Sequence, residues 1–289
     1  MIEPLAKKIH NEVYKVFFDY KTTLFLCGAG NEVVGSVRKQ INDELTSSRY
    51  AFHYDMFYPE DLFGELLFGP KHQDLLSLEN ILADSVDAIV LIIESFGAVA
   101  ELGAFASNSK LRKKIVCLVD QKYRKKKSFI NYGPLRLLKD KGEGQVVYVE
   151  YDNISKSIKA VRRAISKTRK LKRKKPDVKN VVQAHHYILP CIYLLEPVKR
   201  NILRKLVEHA SGTNDQKSTA LTAGAISILN KKREISLTPD GYRLTPTGLI
   251  SFSNLGSRGR TRQVYNITAM DEMRVAILNW KYRGKQLKL

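Results

Sequence analysis

Glu101 is the residue whose type and setting best fit covalent chemistry. It stands in IVLIIESFGAVAELGAFAS (89–107), where an apolar run ends, a loop containing Gly97 follows, and a helical segment begins. In open α/β sheets, ligands bind at the carboxyl ends of the strands. The free amides of a helix N-terminus there suit a phosphate. The expected helix spans 99–110, which puts Glu101 in its first turn, with its carboxylate able to enter the crevice. Ala100, Gly103 and Ala104 keep the surroundings small and leave room for a ligand. An acid in a first turn also complements the helix dipole, so position alone does not make Glu101 a nucleophile.

Other candidates cluster near expected strand ends. LFLCGAG (24–30) ends a strand at Cys27 and continues through Gly28 and Gly30, which let a backbone approach a ligand closely. Ser95 and Gly97 flank the loop before Glu101. Tyr58, Asp61, Asn131 and Tyr132 lie in polar–aromatic loops. Cys27, Cys117 and Cys191 fall inside apolar runs with no C-x-x-C pair, and the six histidines show no metal spacing. The pattern implies buried thiols in a reducing compartment, no metal site and no cofactor.

The elements that must position these residues follow from periodicity. TTLFLC (22–27), DAIVLII (87–93), KIVCLV (114–119) and QVVYVE (145–150) read as buried strands, and HYDMFY (53–58) as a weaker one. Helical spacing at 34–47 and 75–85 alternates with them. Continuous apolar strands alternating with helices predict an α/β, Rossmann-like parallel sheet. The C-terminal part predicts helices at 181–195, 198–210 and 217–231. Pro239-Asp240-Gly241 then marks a hairpin turn, and Thr245-Pro246 opens a further helix. Helix, helix, hairpin and helix is the order of a winged-helix-like domain.

Charge divides the chain. Residues 1–150 hold 20 Lys+Arg and 20 Asp+Glu, whereas 151–289 hold 29 and 9, so the net charge of +20 lies wholly in the second half. A polyanion is the expected partner of that half. Residues 156–175 carry 11 cations and no acid, including Arg162, Arg163, Lys167, Arg169, Lys170, Lys172, Arg173, Lys174 and Lys175. They predict an amphipathic helix running into a basic linker that Pro176 ends. Further basic clusters stand at 122–127, at Lys231, Lys232 and Arg233, and at Arg258, Arg260 and Arg262. Expected boundaries are 1–152 for a catalytic domain, 153–180 for the basic helix and linker, and 181–289 for a nucleic-acid-binding domain. No apolar run of 18 residues or secretory signal is present, so the expected place is the cytoplasm, without membrane insertion.

S-F-G-A-V-A-E-L-G-A-F (95–105), with LFLCGAG (24–30), resembles the signature of the nucleoside 2-deoxyribosyltransferase family. More closely, FYPEDLFGELLFG (57–69), LLSLENILADSVD (75–87), ESFGAVAELGAFASN (94–108), SFINYGPLRLL (128–138), HHYILPCIYLLE (185–196) and DGYRLT (240–245) resemble the deoxyribosyltransferase-like effectors of bacterial retrons. The resemblance implies that Glu101 is a nucleophile and that Glu79 and Asn80 line the sugar site. It implies as partners a retron reverse transcriptase with its msDNA and noncoding RNA, which hold the effector inactive until infection. A homo-oligomer or higher assembly is expected. Where the transferases carry an aspartate six residues before the nucleophile, this sequence has Ser95. Purine and pyrimidine leaving groups need an acid; the pyridinium of NAD does not. The expected reaction is therefore hydrolysis of NAD to nicotinamide and ADP-ribose. Nucleoside or nucleotide deoxyribosyl transfer or hydrolysis stays open, with Glu94 as a substitute acid. So does a non-catalytic, nucleotide-sensing DNA-binding regulator.

Overall fold

The computed structural model describes residues 2–17, 21–30, 35–47, 50, 53–58, 60, 83, 85–140, 142–169, 176–253 and 263–283. They fall into two compact units, one built on residues 21–63 and 73–173 and the other on 1–20 together with 174–289.

The first unit is a five-stranded parallel sheet. Its strands are β1 (Thr22–Cys27), β2 (Tyr54–Phe57), β3 (Ala88–Ile92), β4 (Ile115–Asp120) and β5 (Gln145–Val149), in spatial order β2-β1-β3-β4-β5. Every residue of β1, β3 and β4 is buried, as continuous apolar runs require when both sheet faces are covered. The edge strand β2 alternates between half-buried and buried positions. Strand order reverses between β1 and β3, and this reversal opens a crevice at their carboxyl ends.

Right-handed crossovers place the helices. Helix α1 (Val37–Thr46) joins β1 to β2. Helices α2 (Phe96–Ser107) and α3 (Ser109–Arg112) join β3 to β4. The short α4 (Phe129–Tyr132) and α5 (Pro134–Asp140) join β4 to β5. Because the winding direction reverses at β1, α1 and α2 lie on opposite sheet faces.

Helix α6 (Ile154–Arg169) corrects the expected boundary at residue 152. Its apolar stripe of Ile154, Ile158, Val161, Ala164 and Ile165 is buried in one core with Ile41, Leu45, Val90 and Leu118. Burying each such aliphatic side chain contributes about 1.5–3 kcal/mol, so α6 is part of the α/β unit and not a free basic arm. A second correction concerns the start of α2. The helix begins at Phe96, three residues earlier than its spacing suggested, because Ser95 caps it by accepting a hydrogen bond from the Ala98 amide at 3.2 Å.

The second unit holds a helix at Ile2–Lys8 that continues through a π-turn at Ile9–Tyr14. With it are α7 (Ala184–Leu195), α8 (Arg200–Ser211), α9 (Asp215–Lys231), α10 (Pro246–Ser253) and α11 (Gln263–Arg283). A hairpin of β6 (Ile235–Thr238) and β7 (Gly241–Leu244) completes it. Leu5, Ile9, Val13, Tyr187, Leu206 and Leu229 share its core, so the first residues of the chain fold with its last third. Gly241 turns the hairpin at φ 134°, and an added Cβ would lie 2.5 Å from the Val198 carbonyl oxygen. Tyr242 exchanges backbone hydrogen bonds with Val198 at 2.8 and 3.1 Å, which holds the hairpin against the core. Among the described residues, no helix is long and apolar enough to cross a membrane.

All three cysteines are buried thiols outside any disulfide. Burial pushes the thiols of Cys117 and Cys191 far above the ordinary range, and only a thiolate attacks an alkylating agent. The folded protein is therefore expected to resist iodoacetamide at pH 8, with three thiols reacting in guanidinium. Rapid labelling of any cysteine in the native protein would contradict this burial.

Candidate active site at the carboxyl ends of the strands

Four loops converge on the carboxyl edge of the sheet. Cys27 ends β1 and is fully buried; Gly28 and Gly30 follow it. Tyr58 follows β2, and Ser95 and Gly97 follow β3. Asn131 and Tyr132 lie in α4, after β4. Asp61, Glu79 and Asn80 lie outside the described residues.

Glu101 sits in the second turn of α2, not the first, since the helix starts at Phe96. Ala98, Leu102 and Phe105 on the same helix are buried. Spacings of three and four place Glu101 on that inward stripe, and it is half-buried with Oε2 fully enclosed. It lies too far along the helix to be explained by first-turn dipole complementation. Glu101 is thus a carboxylate on the covered face, one turn below the helix N-terminus, on the helix that follows the central strand β3. Among the described residues, Gly97 has nothing nearer to its potential Cβ than Ser95 Oγ at 3.9 Å, and Gly103 has nothing within 4 Å.

Glu94 has a role that the sequence does not announce. Its Oε1 accepts hydrogen bonds from the amides of Ala29 and Arg38, each at 3.1 Å, and its Oε2 accepts from Val37 at 2.9 Å. Val37 and Arg38 are the first residues of α1. The carboxylate thus fills the anion position that this helix N-terminus offers and ties the β1 loop to the β3 loop. This engagement argues against Glu94 as a mobile general acid.

The same contact reassigns Gly28. A Cβ there would lie 2.8 Å from Glu94 Oε1 and 3.3 Å from Arg38 Cβ. Glycine is required by protein packing rather than by approach of a ligand. Around Gly30 no atom of the described residues lies within 4 Å of a potential Cβ. Gly28→Ala is therefore expected to cost about 1–3 kcal/mol by overpacking, and Gly30→Ala to stay within about 0.5 kcal/mol. Thermal unfolding of the two variants side by side checks this, and equal midpoints would refute the latch.

Two further residues at this edge escaped sequence reasoning. Arg38 is buried in α1, pairs through both terminal nitrogens with Glu60, and holds its guanidinium carbon 5.3 Å from the Tyr58 ring centroid. Tyr151 places its hydroxyl 3.1 Å from the Ile93 carbonyl oxygen and 3.0 Å from that of Leu118, spanning the ends of β3 and β4. Burial pushes its phenol far above the ordinary range, so it acts as a neutral donor. Neither stands in a recognisable motif, because each depends on contacts between distant segments.

Asn131 is engaged within the protein. Its side-chain amide donates to the carbonyls of Tyr123 at 2.9 Å and Lys126 at 2.6 Å, folding the segment after β4. Tyr132 is exposed.

The basic residues separate by environment. Arg163 and Lys167 lie on the exposed face of α6. Arg162, from the same run, stacks its guanidinium 3.8 Å over the Tyr50 ring and donates to the Tyr54 hydroxyl at 3.4 Å. Lys231 and Arg233 are exposed at the end of α9 and in the turn before β6, and Lys232 lies 3.3 Å from His185 Nε2. Arg169 ends α6; Lys170, Lys172, Arg173, Lys174, Lys175, Arg258, Arg260 and Arg262 lie outside the described residues. A cleft of about 580 Å³ in the second unit, lined by Ile2, Val198, Leu206 and Trp280 among others, is mostly apolar. The strand-end crevice, with its carboxylate and helix N-terminus, has the better chemistry.

Residues 34–237 match the model of the STM3845 retron effector protein family. Over 278 residues the chain is 36% identical to the proposed ribosyltransferase/DNA-binding protein of retron Ec86 from Escherichia coli, covering 92% of this chain and 87% of that one. The counterpart from retron Ec73 of Escherichia coli is 28% identical over 247 residues, 77% of each chain.

Proposed function

The chain belongs to the STM3845 retron effector family, and from that premise we propose that it is an N-glycosidase that hydrolyses NAD, governed by a nucleic-acid partner. The observation that carries the reading is Glu101, held on the inward face of α2 at the carboxyl end of the central strand. The name of the Ec86 relative, which speaks of ribosyl transfer and DNA binding, supports both halves of it.

In this reading the Glu101 carboxylate attacks the anomeric carbon of the nicotinamide ribose. The C–N bond breaks as the ester forms, and the electron pair returns to the pyridinium, which departs as neutral nicotinamide. Water then attacks the same carbon and loses a proton to solvent, which releases ADP-ribose and restores the carboxylate. The Phe96 and Gly97 amides, the first of α2, hold a phosphate, and Tyr151 keeps the ends of β3 and β4 in register. Incubation with NAD, followed by chromatography of the products, tests the reaction. Nicotinamide and ADP-ribose are the expected products, and intact NAD with an activated protein would refute the reading.

The second unit supplies the nucleic-acid contact as a winged-helix-like module, with α9 and the β6–β7 hairpin as its reading surfaces. Its order of helices and hairpin and the net charge of +20 in residues 151–289 support this. The expected ligand is the msDNA and noncoding RNA held by the retron reverse transcriptase, which keep the enzyme silent until phage infection. Binding should weaken steeply with salt. Six phosphate contacts, for example, give a slope of log affinity against log salt of about −5. A flat response in a salt titration by fluorescence anisotropy would remove the electrostatic basis.

A further inference from the structure

Residues 121–132 (QKYRKKKSFINY) follow β4 and contain no acid. Lys122, Arg124, Lys125, Lys126 and Lys127 are all exposed. Among the described residues, a carboxylate partner is found for Lys122 alone of these, Asp120 at 2.8 Å. The ammonium groups of Lys122 and Lys126 lie 5.2 and 4.9 Å from the centroid of Tyr123. Phe129 is 86% exposed and Tyr132 59%, one turn apart on α4. On the neighbouring loop Phe96, the first residue of α2, is 98% exposed. Rings left this bare do not contribute to a core, and grouped exposed apolar surface marks a contact site.

The segment is built rather than loose. Asn131 donates to two of its carbonyls, and Ser128 caps α4 by accepting from the Asn131 amide at 3.3 Å. The backbone that carries the cations and rings is thus held in place by these hydrogen bonds.

We propose that residues 121–132 form a platform for single-stranded nucleic acid on the α/β unit itself, separate from the nucleic-acid surfaces assigned to the C-terminal unit. Cations that track phosphates, interleaved with bare rings that stack on bases, are the combination that holds single strands without sequence preference. A duplex keeps its bases stacked inside and has no use for Phe129 and Tyr132. An anionic lipid surface fits less well, because α4 is a single turn that interrupts its rings with Asn131. A strand reaching from Phe129 towards Phe96 lies across the loops that end β3 and β4. Occupancy would then cover the entrance to Glu101, a consequence that rests on the catalytic reading, whereas binding itself does not.

The test uses the full chain and fluorescein-labelled dT12, U12 and a 12-base-pair DNA duplex, read by fluorescence anisotropy. Phe129→Ala with Tyr132→Ala should weaken dT12 and U12 by at least about tenfold. Duplex affinity should change less than about twofold. The DNA and RNA arms show which strand the platform prefers. On the unaltered chain, a 5-iodouracil oligonucleotide should crosslink to the peptide containing 129–132. This keeps the proposal decidable even if the double variant unfolds. Unchanged single-strand affinity, equal loss on duplex, or crosslinks confined to residues 176–289 would overturn it. So would vesicles of phosphatidylserine binding through these rings in place of oligonucleotides. None of these readouts needs turnover, so failure of the platform and failure of the NAD reading are told apart.

Discussion

Glu101→Gln is expected to lower turnover by at least about a thousandfold while leaving the fold intact. The amide has the size and shape of the carboxylate but cannot form the glycosyl ester, so the route with two easier barriers is lost. A thousandfold corresponds to about 4 kcal/mol of transition-state stabilisation. Structure should survive, because Glu101 is half-buried beside Ala98, Leu102 and Phe105, and their packing does not depend on its charge. The measurement is single-turnover release of product by the triggered protein, with thermal unfolding as the control for folding. The variant should retain nucleic-acid binding, since the basic surfaces lie on other elements. Residual activity above about a tenth, in a variant that melts like the parent, would falsify the nucleophile assignment.

The sheet was legible because its chemistry is local. TTLFLC, AIVLI and IVCLVD are apolar enough to be buried on both faces, and all three are strands with every residue buried. The start of α2 was not legible to the residue. Ser95-Phe96-Gly97 reads as loop from propensity, yet the Ser95 cap draws all of it to the helix boundary. That shift of one turn moves Glu101 from dipole complement to inward-facing carboxylate. Glu94 was unreadable for a different reason. Its three donors come from residues 29, 37 and 38, and only the parallel pairing of β1 with β3 brings them to it. The union of Ile2–Tyr14 with the C-terminal core is equally non-local, since Tyr187 donates its hydroxyl to the Ala6 carbonyl across most of the chain. Amphipathicity announced the inward stripe of α6 but not its partner.

The leaving group gives the second large effect. The triggered protein is expected to release nicotinamide from NAD at least about a hundredfold faster than adenine or thymine from deoxynucleosides. Scission of a neutral glycoside builds negative charge on the departing base, and general acid catalysis typically contributes 10²–10⁴-fold to such a step. No acid on the β3 loop is placed to supply it. Ser95 is engaged as the cap of α2, and Glu94 has both oxygens accepting from backbone amides. The nicotinamide of NAD already carries positive charge, so cleavage neutralises it and no proton is needed. Glu101 serves either substrate equally, since it meets the oxocarbenium character of the sugar rather than the base. Initial rates at equal substrate concentrations, read by liquid chromatography, make the comparison. Ser95→Asp extends it: aspartate caps a helix as well as serine, so the fold should hold while the acid returns. Base release from deoxynucleosides, which carry no phosphate to be repelled by the new carboxylate, should then rise by about tenfold or more. If the parent already favours adenine or thymine, the argument from Ser95 fails, and an acid must come from outside the β3 loop.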